Sequence, residues 1–227
     1  MGAALGWGAL AASSLVIGAL LGVLRPWPTA LVGAVLAFGA GALISAVSFD
    51  LVEEGSKLGD PGTVGIGLGV GALVYFAADR AIEHRFSGGG AALALGAFLD
   101  GIPEQMVLGI GIASGEGVGV GLLVAIFVSN LPEAIGSSTD MRASGQTPGR
   151  IRLLWIAVAV VCTLATVVGY ALADSASDNF RAIINGFAAG ALLVMLIDSM
   201  IPEAAKKTGR LAGLVTVLGF AVAFALS

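Results

Sequence analysis

Long apolar stretches follow one another along the whole chain and are separated by short polar segments. Each is close to the length that spans the hydrocarbon core of a bilayer as an α-helix. Numbered one to eight, the stretches cover residues 5–24, 29–51, 63–78, 91–113, 118–138, 153–173, 182–201 and 211–226. The pattern predicts an all-α polytopic membrane protein with eight transmembrane helices, in which residues 1–227 form one transmembrane domain.

The composition also indicates a membrane protein, because 57% of the 227 residues are hydrophobic and only 11% are charged. So few charges would not cover the surface of a soluble domain of this size. We therefore expect the outer surface of the helices to face lipid.

The basic residues predict an orientation, since cytoplasmic loops collect Lys and Arg. With the N-terminus outside, nine of the eleven fall in inner connections: Arg25, Arg80, Arg85, Arg142, Arg150, Arg152, Lys206, Lys207 and Arg210. Both termini are then external, in the plasma membrane of a bacterium or an archaeon. The outer connections carry Asp60, Glu116, Asp174 and Asp178, acids that either draw cations to an entrance or are simply solvated.

Small residues recur four positions apart, which places them on one helix face and lets helix backbones approach closely. The pairs are Gly65/Gly69, Gly67/Gly71, Gly111/Gly115 and Gly186/Gly190. They predict tight packing within the bundle or the face of a homodimer.

Two internal repeats can be read from the chain. A run from Phe38 to Leu43 in stretch two resembles a run from Phe187 to Leu192 in stretch seven, each followed at the same distance by an acid. A second match aligns residues 98–104 in stretch four with residues 127–133 in stretch five, sharing Phe, Pro and Glu. Consecutive helices run antiparallel, so the arrangement predicts inverted repeats, stretches one to three against six to eight, around stretches four and five. This is the usual construction of a secondary transporter.

Three acids lie inside these apolar stretches. Asp100 and Glu104 are four residues apart, on one face of a helix, and Glu133 follows Ser129 by one turn, with Asn130 beside it. Three ionised carboxylates would cost roughly 8–10 kcal/mol, at about 2.5–3.5 kcal/mol each. No Lys, Arg or His lies in the centre of any stretch. The acids must therefore be protonated or bound to a cation.

Two prolines close to these acids add support for a bound cation. Pro103 and Pro132 each remove one helical hydrogen bond and free the carbonyls of Leu99 and Val128. Freed oxygens at membrane depth are tolerated where they face protein or a wet cavity. The predicted metal ligands are Asp100, Glu104, Gln105, Ser129, Asn130 and Glu133. The alternative is that the acids are neutral and only hydrogen-bond between helices.

Further acids extend the line toward both faces of the membrane. The predicted pathway residues are Asp50, Glu53, Glu54, Asp198 and Glu203. Plain solvation is the simpler account of Glu53, Glu54 and Glu203, so Asp50 and Asp198 are the better candidates.

The sequence gives little support for a histidine metal site, ATP-driven transport or enzyme activity. His84, the single histidine, is predicted in a short loop before a hinge at residues 88–90, where a histidine is usually just solvated. The chain has no Walker-type phosphate loop, no Cys or His cluster and no nucleophile–base pair, so neither ATP-driven transport nor an enzyme is expected. We expect no cofactor and no nucleic-acid partner. The expected partners are the lipid bilayer, a divalent metal ion as transported substrate, and a second copy in a homodimer.

The sequence resembles the ZIP (Zrt/Irt-like protein) family of divalent-metal transporters. The family pattern His-Asn-x-Pro-Glu-Gly is matched by residues 100–105, Asp-Gly-Ile-Pro-Glu-Gln, and its second Pro-containing pattern by residues 129–133, Ser-Asn-Leu-Pro-Glu. The resemblance implies metal ligands at Asp100, Glu104, Ser129, Asn130 and Glu133. It also implies eight helices, external termini, import, and motion of helices one, four, five and six against the others.

The motif histidines are missing, and stretch six has no acid to complete a second metal position. An all-oxygen site favours Mn²⁺, Fe²⁺, Mg²⁺ or Ca²⁺, although zinc also accepts carboxylates. Three functions stay open: a divalent-metal carrier, a proton-coupled carrier of another small solute, and a membrane scaffold without transport.

Overall fold

A computed structural model of the chain describes residues 1–85, 90–114, 119–174 and 176–226. Within these ranges the fold is all-α, as predicted, and no strand is present. The α-helices are α1 (Gly2–Leu24), α2 (Thr29–Ala46), α3 (Glu54–Leu58), α4 (Pro61–Arg85), α5 (Gly90–Ala113), α6 (Val120–Ala143), α7 (Pro148–Asp174), α8 (Asp178–Met195), α9 (Ile201–Thr208) and α10 (Ala212–Leu226).

Six segments of the described chain are long and apolar enough to cross a membrane: 2–24, 29–58, 61–82, 120–143, 148–174 and 178–226. The last contains two of the predicted stretches. Its helix is interrupted at Gly209, which has φ of +67° and begins a 3₁₀ turn, Gly209–Leu211. A positive φ favours glycine there. These spans indicate a polytopic membrane protein.

Two of the long helical segments contain a π-helical interruption that the apolar pattern did not predict. Val47–Glu53 lies between α2 and α3, and Leu196–Met200 lies between α8 and α9. Each begins nine residues after the phenylalanine of its repeat motif, Phe38 or Phe187. Such turns are common at functional sites because they shift the face on which later side chains project.

Glycines set how the helices pair. A Cβ on Gly71 would collide with the backbone of Phe187, and one on Gly190 with the backbone of Leu68, so α4 and α8 are in close backbone contact. Gly219 meets Phe38 in the same way and joins α10 to α2. The predicted pairs Gly67/Gly71 and Gly186/Gly190 therefore pack against each other, as membrane helices do through small residues.

Further glycines join α5 to α7 and α1 to α6. Gly109 approaches the backbone of Thr166, and Gly18 approaches that of Leu131. A Cβ on Gly65 or Gly69 would meet nothing, so that pair faces open space. Large apolar side chains cover much of the outside, with Leu73, Leu153 and Leu214 about 70% exposed, as expected for a surface that faces lipid.

One local prediction is wrong. His84 was expected in a loop, but α4 continues through Arg85, so His84 lies exposed on the last helical turn. The apolar stretch ended at residue 78 because polar residues follow, yet a helix continues beyond the hydrocarbon region without difficulty. Residues 88 and 89 of the predicted hinge, Gly115 of the pair Gly111/Gly115, and Glu116 lie outside the described residues.

At the N-terminal end of α4, Asp60 acts as a helix cap. Its carboxylate accepts hydrogen bonds from the Thr63 hydroxyl, at 2.5 Å, and from the backbone nitrogens of Gly62 and Thr63. These bonds, above all that from the Thr63 hydroxyl, lower the pKa of Asp60. This exposed acid therefore caps a helix and stays ionised.

Candidate metal site

The two proline-containing units lie on neighbouring helices. Pro103 is inside α5 and Pro132 is inside α6. Each proline lacks the N–H that would bond the carbonyl four residues earlier, Leu99 or Val128. Glu104, directly after the first proline, is 1% exposed and therefore removed from solvent.

Glu104 bridges α5 to α6 through both of its carboxylate oxygens. Oε1 accepts a hydrogen bond from the Ser129 hydroxyl at 3.1 Å, and Oε2 accepts one from the Asn130 amide at 2.7 Å. The Asn130 side-chain oxygen is buried, and no described residue donates a hydrogen bond to it. A buried acceptor without a donor is costly, and a cation would satisfy it. Three of the predicted ligands are thus brought together.

Asp100 lies one turn earlier on α5 but faces other partners. Its Oδ1 accepts a hydrogen bond from the Tyr75 hydroxyl of α4, and its Oδ2 accepts one from the Ser199 hydroxyl at 3.2 Å. Ser199 belongs to the π-helical segment Leu196–Met200. The sequence did not single out Tyr75 or Ser199. A signal was present on α4, where Tyr75 and Asp79 share one face of a largely apolar helix.

Glu133 is half-buried on α6, where the charges of Asp100, Glu104 and Glu203 act on it. The charge of Lys207 acts on it as well. The sequence predicts Lys207 in a cytoplasmic connection and predicts no basic group close to the acids. In the structure, Lys207 forms an ion pair with Glu203 at 2.5 Å. Its nitrogen also lies beside Gly136, one turn after Glu133.

Gln105 faces away from this group. Its side-chain oxygen accepts a hydrogen bond from the Thr166 hydroxyl of α7 at 2.6 Å, and its buried amide nitrogen has no partner within the described ranges. The structure therefore places this predicted ligand between α5 and α7 and not beside Glu104.

The predicted pathway acids separate into three environments. Asp50 and Glu54 line a cavity of about 100 Å³ together with Ser114, Arg181 and Asn185. Exposed Glu53 pairs with Lys57 at 3.1 Å, and Glu203 pairs with Lys207. Asp198 is exposed and lines an outer groove with Leu73 and Phe76, away from Asp100.

Within the described residues, no three His, Cys, Asp or Glu side chains are arranged to hold a metal ion. A cation bound at Glu104 in this conformation would therefore need the neutral oxygens of Ser129 and Asn130. Oxygen ligands of this kind suit hard divalent cations.

The two proline-containing helices lie in a region of the chain that matches a known protein family. A family model described as ZIP zinc transporter matches residues 63–227, more than two thirds of the chain, including both proline-containing helices. The chain belongs to the ZIP zinc transporter family. The resemblance seen in the motifs of α5 and α6 is thereby confirmed, and proteins of the ZIP family are transporters and not enzymes.

A curated relative of this ZIP family chain comes from Arabidopsis thaliana. The two are 31% identical over 181 residues, and the relative's name gives it as a candidate zinc transporter. The match covers 74% of this chain and 29% of the relative. This chain thus spans less than a third of the length of that protein.

Proposed function

We propose that this ZIP family chain is a secondary carrier that moves a divalent metal cation across the membrane, toward the cytoplasm, without hydrolysing a nucleotide. The observation that carries the proposal is the buried bridge from Glu104 to Ser129 and Asn130, with the unpartnered Asn130 oxygen beside it. A carboxylate and an orphaned amide oxygen beside the prolines inside α5 and α6 form a better cation site than a packing contact.

The cation class follows from the ligand chemistry. Each side chain of the site would ligate the metal through an oxygen atom. Oxygen ligands suit Mn²⁺ and Fe²⁺, and Zn²⁺ also accepts carboxylates. The names of the family and of the Arabidopsis relative both point to zinc. We therefore propose Zn²⁺, Fe²⁺ or Mn²⁺ as the substrate, with Glu104 and Glu133 as its carboxylate ligands.

Eight membrane crossings and inverted repeats are part of the same proposal. Support comes from the turn at Gly209, after which α10 packs back along α2. Support also comes from paired contacts, since Phe38 meets Gly219 and Phe187 meets Gly71. Matching contacts in two halves of a chain are what an internal repeat produces.

Helix packing favours two groups of close neighbours, which we propose move against each other. In one group α1 packs with α6 and α7, and α5 packs with α7; in the other α2 packs with α9 and α10, and α4 packs with α8. The two groups also touch, because Gly39 of α2 lies against the backbone of Ser129 of α6. The Glu104 site lies within the first group. Alternating access would expose it first to one side of the membrane and then to the other.

Uptake into proteoliposomes tests the proposal. Protein reconstituted into vesicles that contain a metal-sensitive dye should admit Zn²⁺ or Mn²⁺, and Glu104→Gln should abolish uptake because the amide lacks the charge that binds the ion. The matched control is Glu53→Gln, an exposed acid paired with Lys57, which should leave uptake unchanged.

Thermal unfolding of the same proteins in detergent separates loss of binding from loss of fold. A ligand at a hundredfold excess over its Kd stabilises by about 2.7 kcal/mol, so the wild type should unfold at a higher temperature when metal is added. Glu104→Gln should unfold normally but without this shift. Proton-driven uptake of another solute, or no uptake and no shift, would refute the metal carrier.

A further inference from the structure

The Asp100 carboxylate is held by two hydroxyl groups from outside its own helix group. Tyr75 donates from α4, and Ser199 donates from the π-helical segment after α8. Tyr75 is 4% exposed and Asp100 is 7% exposed. Both donors are neutral, and both oxygens of the carboxylate are in use.

Helix α5 is consequently tied in two directions. Asp100 binds it to α4 and the π-helical segment, whereas Glu104, one turn later, binds it to α6. Carboxylates four residues apart on one helix are able to converge on a single ion. Asp100, Glu104 and Glu133 are not arranged to hold one ion in the part of the chain that the structure describes. Asp100 would therefore have to move to join the other two acids at a metal ion, and that movement would draw it away from its hydroxyl partners.

The surroundings of this contact are loosely packed. A cavity of about 300 Å³ separates α5 from α4 and α8, with Tyr75, Leu99, Met106 and Phe187 in its wall. Elsewhere the helices of each group meet through glycines at backbone contact, as α4 does with α8. The bonds to Asp100 therefore cross a cavity between α5 and α4, where packing constrains movement less than at the glycine contacts.

The π-helical turn places Ser199 for this contact. When the repeat motifs at Phe38 and Phe187 are aligned, Ser199 takes the position of Asp50. A hydroxyl at this position donates to Asp100, whereas a carboxylate would repel it. The two halves thus differ at the residue that faces Asp100.

We propose that Tyr75 and Ser199 form a latch that holds Asp100 away from the metal site, and that metal binding opens it by drawing Asp100 to the ion. The inference rests on the proposed metal transport. A ligand shifts a conformational equilibrium only through different contacts in the two states. Exchange of two hydroxyl partners for a cation gives Asp100 such a difference and links metal occupancy to movement of α5 past α4.

Conservative variants test the latch. Tyr75→Phe keeps the ring in the apolar cavity and removes the hydroxyl, and Ser199→Ala removes the second donor. Each should lower the Kd and the KM for Mn²⁺ about tenfold, because Asp100 no longer has to leave that partner. The kcat should fall, because recapture of Asp100 by the hydroxyls helps release the ion.

Matched controls are Tyr170→Phe on α7 and Ser13→Ala on α1, whose hydroxyls do not contact Asp100. Neither should change Kd, KM or kcat. A merely structural role for Tyr75 would raise KM or lower thermal stability without tightening metal binding. The opposite signs of the expected changes in Kd and kcat therefore separate a latch from lost packing.

A double-mutant cycle shows whether the effect passes through Asp100. In an Asp100→Ala background, Tyr75→Phe should change Kd by less than about twofold. The latch is overturned if Tyr75→Phe weakens binding, leaves it unchanged, or tightens it equally without Asp100. Failure of the wild type to bind Mn²⁺ or Zn²⁺ overturns the carrier and the latch together, whereas Glu104-dependent binding that ignores Tyr75 and Ser199 overturns only the latch.

Discussion

Asn130 of α6 donates a hydrogen bond of 2.7 Å to Glu104 of α5, and both residues are 1% exposed. A buried amide and a buried carboxylate thus join the two proline-containing helices. The nitrogen of the amide donates this hydrogen bond, and among the described residues no group donates to its oxygen. In the proposed metal site, one side chain would therefore orient the Glu104 ligand and offer a second ligand itself.

Replacement of Asn130 tests this double role. Asn130→Ala should weaken metal binding at least tenfold, because hydrogen bonds to charged groups contribute about 1.5–3 kcal/mol and one ligand oxygen is lost. Asn130→Asp should unfold at a lower temperature without metal, since two carboxylates then face each other, and should gain more from added Mn²⁺. Asn179→Ala, at an exposed outer position, serves as the control. Equal metal-induced shifts in all four proteins would remove Asn130 from the site.

Metal binding should weaken as the medium is acidified. Bound metal requires ionised Glu104 and Glu133, so protons and metal compete for the same oxygens. Each proton released makes the affinity fall about tenfold per unit of decreasing pH. Calorimetry in buffers of different ionisation enthalpy counts the released protons, and the count should drop in Glu104→Gln. Tight binding without proton release at mildly acidic pH would place the metal elsewhere.

The ammonium group of Lys207 should compete with metal for the acids. It pairs with Glu203 at 2.5 Å, and its charge acts on Glu133. Lys207→Gln should tighten Mn²⁺ binding several-fold, because the acids lose their built-in counter-ion. The neighbouring Lys206 is exposed, so Lys206→Gln should change the Kd little. Identical Kd values for the two variants would show that Lys207 does not influence the site.

Ligand chemistry predicts a change in metal preference. Asp100→His places an imidazole where the ZIP family pattern has histidine, and imidazole is a better ligand for zinc than for manganese. The ratio of Zn²⁺ to Mn²⁺ affinity, measured by competition, should rise about tenfold. The exposed His84 provides the control, since His84→Gln should leave this ratio unchanged. A constant ratio in Asp100→His would exclude this side chain from the bound state.

Two glycines of α4 provide a matched test of helix packing. A Cβ on Gly71 would collide with the backbone of Phe187, whereas one on Gly69 would meet no atom. Gly71→Ala should destabilise by about 1–3 kcal/mol through overpacking. Gly69→Ala should be neutral or stabilising by up to about 1 kcal/mol, because alanine favours helix. Thermal unfolding in detergent measures both, and equal effects would contradict the close approach of α4 to α8.

Much of the site was readable before the fold. Glu104, Ser129 and Asn130 could be grouped from sequence because a polar residue at membrane depth is costly, and because two prolines mark the same position in adjacent helices. Asp100 is grouped with them by helical spacing and by the ZIP resemblance, and Gln105 by its position next to Glu104. In the structure Asp100 faces Tyr75, and Gln105 faces Thr166. Spacing defines a helix face but not which neighbouring helix that face meets.

The sequence by itself determined that the chain is helical and belongs in a bilayer, because lipid forces long apolar segments to satisfy their backbone bonds internally. It also located the acids and prolines of the candidate site. Only the tertiary structure decided the partners of those acids. The π-helical turns at Val47–Glu53 and Leu196–Met200 break the regular period of the helix, so Asp198 faces outward while the adjacent Ser199 reaches Asp100. The long, flexible side chain of Lys207 likewise reaches from α9 toward the acids. Such reach depends on how helices distant in sequence pack, which no local pattern encodes.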